Sequence, residues 1–250
     1  SGHGTVETAV EATRLGAVDY IEKPLSLAQL LRTVESALRQ RVGLATETVR
    51  PADRLHGLEI PQGKSALMES AREQALVIAA QKAPVLITGE AGSGRTAFAR
   101  YIHASGSRAS HPFIRVDGAL LNDSNALELF VGTSPSQPGL FLQAEGGTLF
   151  ISDLQELGPR AQSLMLGFLE HASVFPAGSA EARKIDVRCM AAVQPRYGER
   201  LRADLLAAIG VMHLNVPALR DRNEDVPGLL KQYVDRLVDK EGLPYRRFNF

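Results

Sequence analysis

Residues 84–96 read PVLITGEAGSGRT, an almost entirely apolar run that passes directly into a glycine-rich turn. A short apolar run without alternation is typical of a strand buried on both faces of a parallel sheet. The turn has the spacing of a phosphate loop, G-x-x-x-x-G-K-[ST], except that Arg95 occupies the lysine position. The stretch therefore predicts a buried strand, a phosphate loop and the start of a helix.

Strand and helix patterns alternate along the chain around this loop. The predicted strands lie at 84–88, 113–117, 148–152, 185–193 and 212–216. The predicted helices lie at 65–82, 96–103, 126–130, 159–170, 201–208 and 226–240. Such alternation favours a parallel sheet with helices on both faces. We therefore expect an α/β fold over residues 63–250, arranged as a parallel-sheet αβα sandwich.

The N-terminal part of the chain is organised differently. Over residues 1–41, two helical patterns flank one short apolar run, AVDYI. One strand cannot form a stable sheet alone, so we expect this segment to be the second half of an α/β domain. Residues 42–62 are polar and contain Gly and Pro, which predicts a linker. Because the chain starts at Ser and ends just after a turn signal, we expect it to be a fragment of a longer protein.

The composition excludes several classes of protein. The chain has 28 Lys and Arg against 28 Asp and Glu, so it lacks the basic excess of a nucleic-acid-binding module. The one cysteine, Cys189, lies in an apolar run, which excludes a disulfide framework and predicts a buried thiol. No apolar run is long enough to span a bilayer. We therefore expect a soluble, cytoplasmic protein with no membrane contact.

The glycine-rich turn is the candidate nucleotide site, with ATP and Mg²⁺ as the candidate cofactors. Arg95 keeps the charge of lysine, but its planar guanidinium is bulkier and aims its donors differently. This change is compatible with phosphate binding and disfavours correct placement of the γ-phosphate. The alternative interpretation is a structural turn that binds no ligand. The candidate cofactor-binding residues are Gly89, Glu90, Ala91, Gly92, Ser93, Gly94, Arg95 and Thr96.

Hydrolysis of a nucleoside triphosphate also requires acidic side chains at the end of a neighbouring strand. One carboxylate holds Mg²⁺ and the next orients the attacking water. The apolar run 148–152 ends at Ser152, and Asp153 follows it. A hydroxyl is a poorer ligand for a divalent cation than a carboxylate. The candidate magnesium ligands are therefore Thr96 and Ser152, and the candidate catalytic carboxylate is Asp153.

Several stretches together resemble the AAA+ domain of NtrC-family bacterial enhancer-binding regulators. They are GEAGSGRT (89–96), PGLFLQAEGGTLFISDLQEL (138–157), KIDVRCMAAV (184–193) and VPALRDRNEDVPGLL (216–230). Residues 1–41, with DYIEKP, resemble the second half of a response-regulator receiver domain. In that resemblance Ser1 is the hydroxyl switch residue, Tyr20 the switch aromatic and Lys23 the contact to the phosphoryl group. The resemblance implies homo-oligomers, with a sensor histidine kinase and DNA as partners through segments outside this chain.

The sequence departs from this family in parts that carry out hydrolysis. The magnesium-binding Asp of the family corresponds to Ser152, and its catalytic Glu corresponds to Asp153. Its sensor Thr-Asn pair corresponds to Val193-Gln194, and its switch Asn approximately to Asp117. Of the family's two interface arginines, Arg202 is present, whereas the other position is Ala208. For Arg202 the alternative is a solvated helix turn.

The family's output loop is also affected. Active members carry a GAFTGA loop that touches sigma-54, but only VGTSPSQP lies between Phe130 and Gly139. The NtrX branch shares this loss, and ELFVGTSPSQPGLF resembles that branch. A contact with sigma-54 is therefore not expected. The mixed-charge stretch 220–225 is predicted to be an exposed, structural face of ion pairs.

These observations favour a two-component response regulator transcription factor of the NtrC/NtrX type. Its AAA+ domain is expected to be impaired in ATP hydrolysis and to serve oligomerisation or signal relay. The residues leave two alternatives open. One is an active ATPase that uses Asp153 for both acidic roles. The other is a regulatory module that binds a nucleotide without hydrolysing it.

Overall fold

The computed structural model describes residues 47–49, 60–134, 136–177, 179, 181–196 and 200–241. The chain divides into two units between Glu47 and Thr48, and nearly all the described residues belong to the second unit. The predicted receiver segment 1–41, most of the predicted linker and residues 242–250 lie outside the described residues.

A six-stranded sheet forms the middle layer of the described part, and two short hairpins lie outside it. The strands are β1 Glu47–Val49, β2 Val85–Thr88, β3 Phe113–Asp117, β4 Gly132–Ser134, β5 Gln137–Pro138, β6 Thr148–Ser152, β7 Ser173–Val174, β8 Arg183–Lys184, β9 Arg188–Val193 and β10 Met212–Asn215. The order in the main sheet is β1-β3-β6-β9-β2-β10. Each pair from β3 to β10 is parallel, which confirms the predicted parallel α/β sheet.

Seven α-helices of the described residues connect and cover these strands. They are α1 Ala66–Ala79, α2 Arg95–Ser105, α3 Ala126–Val131, α4 Leu140–Gln143, α5 Pro159–His171, α6 Ala203–Ile209 and α7 Val226–Glu241. The predicted bounds differ by three residues at the end of α1, which is Ala79 instead of residue 82, and at the start of β9, which is Arg188 instead of residue 185. The difference at β9 arises because the backbone at 185 and 186 bonds to Ala172 and Gly146, outside the main sheet.

The two faces of the sheet bury separate apolar clusters, because successive strand residues point to opposite faces. On β2, Val85 and Ile87 pack with α1 and α2, whereas Leu86 packs with α3 to α6. The central strands β6 and β9 are buried along their whole length. Cys189 belongs to the second cluster, and burial raises the pKa of its thiol to about 12, as expected for an unreactive buried cysteine. The described part is therefore the predicted αβα sandwich.

Parallel pairing brings the carboxyl ends of three central strands to one edge of the sheet. Thr88 of β2 is in register with Val193 of β9, and Ile151 of β6 is in register with Ala191. The first residue of the glycine-rich turn continues this pairing, because the Gly89 N–H donates to the Val193 carbonyl at 3.2 Å. The residues that follow β2, β6 and β9 therefore lie at the same edge of the sheet, where β9 alone separates β2 from β6.

Candidate functional site

The glycine-rich turn lies between β2 and α2. Gly92 and Gly94 have φ values of 77° and 107°, which side-chain-bearing residues rarely adopt, so these positions require glycine. A Cβ built on either glycine has no heavy atom within 4 Å, so this side of the turn faces open space. Gly94 caps α2 without a side-chain hydrogen bond. The turn therefore has the backbone shape of a phosphate loop, leading into the N-terminus of an eleven-residue helix.

Arg95, the first residue of α2, turns its guanidinium toward the acid beyond β6. Its Nη2 donates to Oδ1 of Asp153 at 3.0 Å, and only 10% of its side chain is exposed. Its Nη1 is buried and has no hydrogen-bond partner. The cation at the lysine position is thus paired with a carboxylate of its own chain, while part of its donor capacity is unused.

Three side chains donate hydrogen bonds to Oδ1 of Asp153. Besides Arg95, the Gln155 amide donates to Oδ1 at 3.1 Å and the Gln194 amide donates to it at 3.4 Å. The backbone of Asp153 is left-handed, with φ 49°, a conformation that Asp tolerates better than most residues. Burial raises the pKa of Asp153, but the hydrogen bond from Gln155 and the charge of Arg95 together lower it by more. The net pKa of Asp153 therefore lies below its ordinary value.

Ser152 does not turn its hydroxyl toward this acid. The side chain is buried, and its Oγ lies 3.5 Å from the Val116 carbonyl of the neighbouring strand β3. Thr96, the other candidate magnesium ligand, is half-buried in the first turn of α2. Within the described residues, no group of three His, Cys, Asp or Glu side chains is arranged to hold a metal ion.

A second arginine supports the turn from below. Nη2 of Arg222 donates to the Ser93 carbonyl at 2.9 Å, and its Nη1 lies 3.7 Å from Oδ2 of Asp225. The Asp225 carboxylate also accepts hydrogen bonds from the backbone N–H of Lys64 and from the N–H and hydroxyl of Ser65, the N-cap of α1. These contacts tie the turn to the start of α1.

The prediction that residues 220–225 form an exposed face is therefore wrong for Arg222 and Asp225. Arg222 and Asp225 expose only 4% and 3% of their surface. Burial raises the pKa of Asp225, but the hydrogen bonds from Ser65 and Lys64 and the charge of Arg222 lower it by more, so the net pKa is below its ordinary value. The charge pattern alone gave no sign of burial, because the groups that contact Arg222 and Asp225, at Ser93 and Ser65, lie far away in the chain.

Two further contacts at the turn escaped prediction. Arg220 places Nη1 between the two carboxylate oxygens of Glu90, which lies inside the turn, and both side chains are exposed. The second contact is that of Gln155 with Asp153. Gln155 is buried in the short 3₁₀ helix Leu154–Glu156 that follows β6. Nothing in the sequence marked Gln155, because a single amide between Leu154 and Glu156 has no distinctive spacing.

Arg202 lies away from these groups, at the N-cap of α6. Its guanidinium forms a two-point ion pair with the neighbouring Asp204, and its Nη1 donates to the Ser163 hydroxyl at 3.1 Å. Both charged side chains are about half exposed. The hydrogen bonds that Arg202 donates to Asp204 fit both an interface arginine and a solvated helix turn, so the interface role stays a prediction.

The segment between Phe130 and Gly139 forms a short antiparallel hairpin of β4 and β5. The two strands approach closely at Gly132 and Gly139, because a Cβ on Gly139 would lie 2.4 Å from the Phe130 carbonyl oxygen and the Gly132 nitrogen. The segment VGTSPSQP, in which the family's GAFTGA loop was not found, thus contains two short antiparallel strands. The predicted switch residues Ser1, Tyr20 and Lys23 lie outside the described residues.

No helix in the described part is both long enough and apolar enough to cross a membrane.

Comparison with known proteins gives consistent matches. The family model described as the Sigma-54 interaction domain matches residues 62–215. The chain is 32% identical to the transcriptional regulatory protein ZraR of Escherichia coli, over 96% of this chain and 57% of ZraR. It is 34% identical to the response regulator protein PilR of Pseudomonas aeruginosa, over 99% of this chain and 57% of PilR.

Solved structures of NtrX from Brucella abortus resemble the chain as well. The complex with ADP has a TM-score of 0.71 at 30% identity and covers 99% of this chain and 58% of NtrX. The complex with ATP has a TM-score of 0.70 at 30% identity and covers 100% of this chain and 59% of NtrX. The chain therefore spans somewhat more than half the length of the relatives it matches.

These matches identify the αβα sandwich around the glycine-rich turn. The family model covers more than half of the chain, and the relatives include named regulators of the NtrC family. The AAA+ resemblance found in the sequence is confirmed: the chain belongs to the family of sigma-54 interaction domains, the AAA+ domains of NtrC-type regulators.

Proposed function

We propose that the chain is part of a two-component response regulator transcription factor of the NtrC/NtrX type whose AAA+ domain does not hydrolyse ATP. The domain serves oligomerisation or signal relay in this proposal. Its support is the family match together with relatives whose names describe transcriptional regulators and a response regulator.

The proposal divides the chain into three parts. Residues 1–41 are the second half of a receiver domain, with Ser1, Tyr20 and Lys23 as its switch residues. Residues 42–62 are a linker, and residues 63–250 belong to the AAA+ domain. The matches to PilR and NtrX extend over 99–100% of this chain and thus include the N-terminal segment, which supports this division. A sensor histidine kinase, DNA and further copies of the chain are the proposed partners.

The ion pair between Arg95 and Asp153 carries the proposal that hydrolysis is lost. A hydrolytic site needs a cation directed at the β- and γ-phosphates and a carboxylate free to orient water. Here the two groups neutralise each other at 3.0 Å, and two amides occupy the same carboxylate oxygen. Loss of a general base alone costs about 10²–10⁴-fold in rate. The neighbouring Ser152 supplies no carboxylate in compensation.

The hairpin of β4 and β5 supports a further part of the proposal. In this chain the segment between Phe130 and Gly139 turns back on itself with only Pro135 and Ser136 between the two strands. The residues between Phe130 and Gly139, VGTSPSQP, do not include the family's sigma-54 contact motif GAFTGA. We therefore propose that the domain does not remodel the sigma-54 polymerase.

Steady-state ATP turnover of the full-length protein tests the loss of hydrolysis. The unmodified protein is expected to show no turnover above background. The triple variant Arg95→Lys, Ser152→Asp and Asp153→Glu restores the family's residues at these three positions, and a gain in its turnover would support their assignment. Turnover of about 1 per second or more by the unmodified protein lies in the ordinary enzyme range and contradicts the proposal.

A regulatory module that binds nucleotide without hydrolysing it is a second candidate. The NtrX structures with ADP and with ATP favour it, because that similar protein binds both nucleotides. The phosphate-loop backbone at Gly92 and Gly94 is compatible with the same role here. The remaining alternative, an active ATPase that relies on Asp153, is disfavoured by the three donors already bound to that carboxylate.

A further inference from the structure

We propose that the glycine-rich turn at residues 89–96 binds a nucleoside di- or triphosphate without magnesium, and that the bound phosphate replaces Asp153 as the partner of Arg95. This inference rests on the nucleotide-binding form of the proposed function. It differs from the usual arrangement of a phosphate loop, in which a divalent cation bridges the nucleotide and the protein.

Magnesium does not fit the donor set. Mg²⁺ requires near-octahedral oxygen ligands and is ordinarily held by one or two carboxylates besides the phosphates. Asp153 offers a carboxylate whose Oδ1 accepts from Arg95, Gln155 and Gln194. Ser152 is buried with its hydroxyl beside the Val116 carbonyl, and the described residues contain no acidic cluster arranged for a metal ion.

A phosphate group does fit. Nη1 of Arg95 is a buried N–H donor with no hydrogen-bond partner, on a side chain that is nine-tenths buried. The same residue opens α2, so the helix N-terminus adds its partial positive charge beside the guanidinium. Gly92 and Gly94 leave open space over the turn. A planar guanidinium also binds phosphate oxygens at two points, which lysine cannot do.

Phosphate binding then competes with a carboxylate of the same chain. The guanidinium must give up part of its contact with Asp153 before it faces a ligand, and the ligand's affinity is reduced by that exchange. Removing the charge of Asp153 while keeping its shape should therefore tighten phosphate binding. An ion pair as exposed as this one is worth at most about 1 kcal/mol, which corresponds to a change of up to about 5-fold in affinity.

Equilibrium titration of the full-length protein with fluorescent ATP and ADP analogues, in magnesium and in EDTA, tests the inference. The dissociation constants in the two conditions are expected to agree within about 3-fold, an energy difference well below one tenfold step. Tightening of about 10-fold or more by magnesium would overturn the metal-free site. Absence of binding in both conditions would also overturn it, while leaving the proposed loss of hydrolysis intact.

Two carboxylate variants test the exchange at Arg95. Asp153→Asn is expected to bind the analogues about 5-fold more tightly than the unmodified protein. Glu156→Gln removes a nearby carboxylate that is paired with Arg200 on the surface, and it should leave binding unchanged. Equal tightening in both variants would indicate a general charge effect and overturn the exchange. Thermal unfolding of each variant verifies that it is folded before binding is compared.

A variant with a restored metal site is expected to bind nucleotide in a magnesium-dependent way, unlike the unmodified protein. The double variant Arg95→Lys and Ser152→Asp supplies a compact cation and a second carboxylate at the end of β6. It is expected to acquire magnesium-dependent binding, seen as tighter binding in magnesium than in EDTA. If both this variant and the unmodified protein prefer magnesium equally, the inference is wrong. ATP turnover measured in the same samples reports on the proposed function separately.

Discussion

Two arginine–carboxylate pairs flank the same glycine-rich turn, and they differ in a way that separates scaffold from chemistry. Arg222 and Asp225 lie beneath the turn with 4% and 0% of their side chains exposed. Arg95 and Asp153 lie between the start of α2 and the end of β6, which we call the mouth of the turn, with 10% and 28% of their side chains exposed. The buried pair is the longer of the two, at 3.7 Å against 3.0 Å. Burial and additional hydrogen bonds, more than the ion-pair distance, decide which pair holds the structure.

The buried pair fixes the backbone from which a phosphate loop is built. Arg222 holds the Ser93 carbonyl, and Asp225 holds the first turn of α1. The pair at the mouth connects no backbone groups and instead joins the two charges that a nucleotide site would direct at its ligand. The buried pair thus supports the loop, whereas the charges of Arg95 and Asp153 are paired with each other.

Asp225→Asn is expected to produce the largest loss of stability among the changes considered. Removing one charge from a buried pair leaves the other uncompensated and costs about 3 kcal/mol. The free energy of unfolding from urea denaturation measures the effect. Asp221→Asn is the matched control, because Asp221 is 55% exposed and lies 3.8 Å from Arg220, so its loss should cost less than about 0.5 kcal/mol. Similar losses in the two variants would show that burial of Asp225 contributes nothing.

Acid should remove part of the advantage of the unmodified protein over Asp225→Asn. The pKa of Asp225 in the folded protein lies below the ordinary 3.8, so its charged form stabilises the fold above that pH. As pH falls through the lowered pKa, the native carboxylate becomes protonated and this contribution is lost. The difference in urea midpoint between the two proteins is therefore expected to be constant from about pH 5 to 7 and to shrink below about pH 4. A difference that grows on acidification would contradict this sign.

Much of the fold follows from local sequence patterns. The apolar runs that gave β2, β3 and β6 are buried strands in a parallel sheet, where continuous apolar sequence is expected. The short strands of the hairpin at 173–174 and 183–184 were missed, because two-residue strands leave almost no periodicity to detect. The boundary of β9 was misplaced for a related reason, since the bonds at residues 185 and 186 go to distant segments.

The site was predicted less completely than the fold. Sequence comparison identified Arg95, Ser152 and Asp153 as departures, because each occupies a motif position of known chemistry. It did not indicate that Arg95 and Asp153 touch, because 58 residues separate them and their contact depends on strand order in the sheet. The buried role of Arg222 was hidden for the same reason, since its partner Ser93 lies 129 residues away.

A double-mutant cycle on Arg95→Gln and Asp153→Asn should give the smallest effect and the sharpest test of the contrast. With 28% of the Asp153 side chain exposed, water screens the pair, and a coupling energy of at most about 1 kcal/mol is expected from urea denaturation. A coupling of this size is small enough for a bound phosphate to replace Asp153. A coupling of about 3 kcal/mol would make the mouth pair a structural clamp comparable to Arg222 and Asp225. A phosphate could then reach Arg95 only by destabilising the fold, and the two pairs would no longer separate scaffold from chemistry.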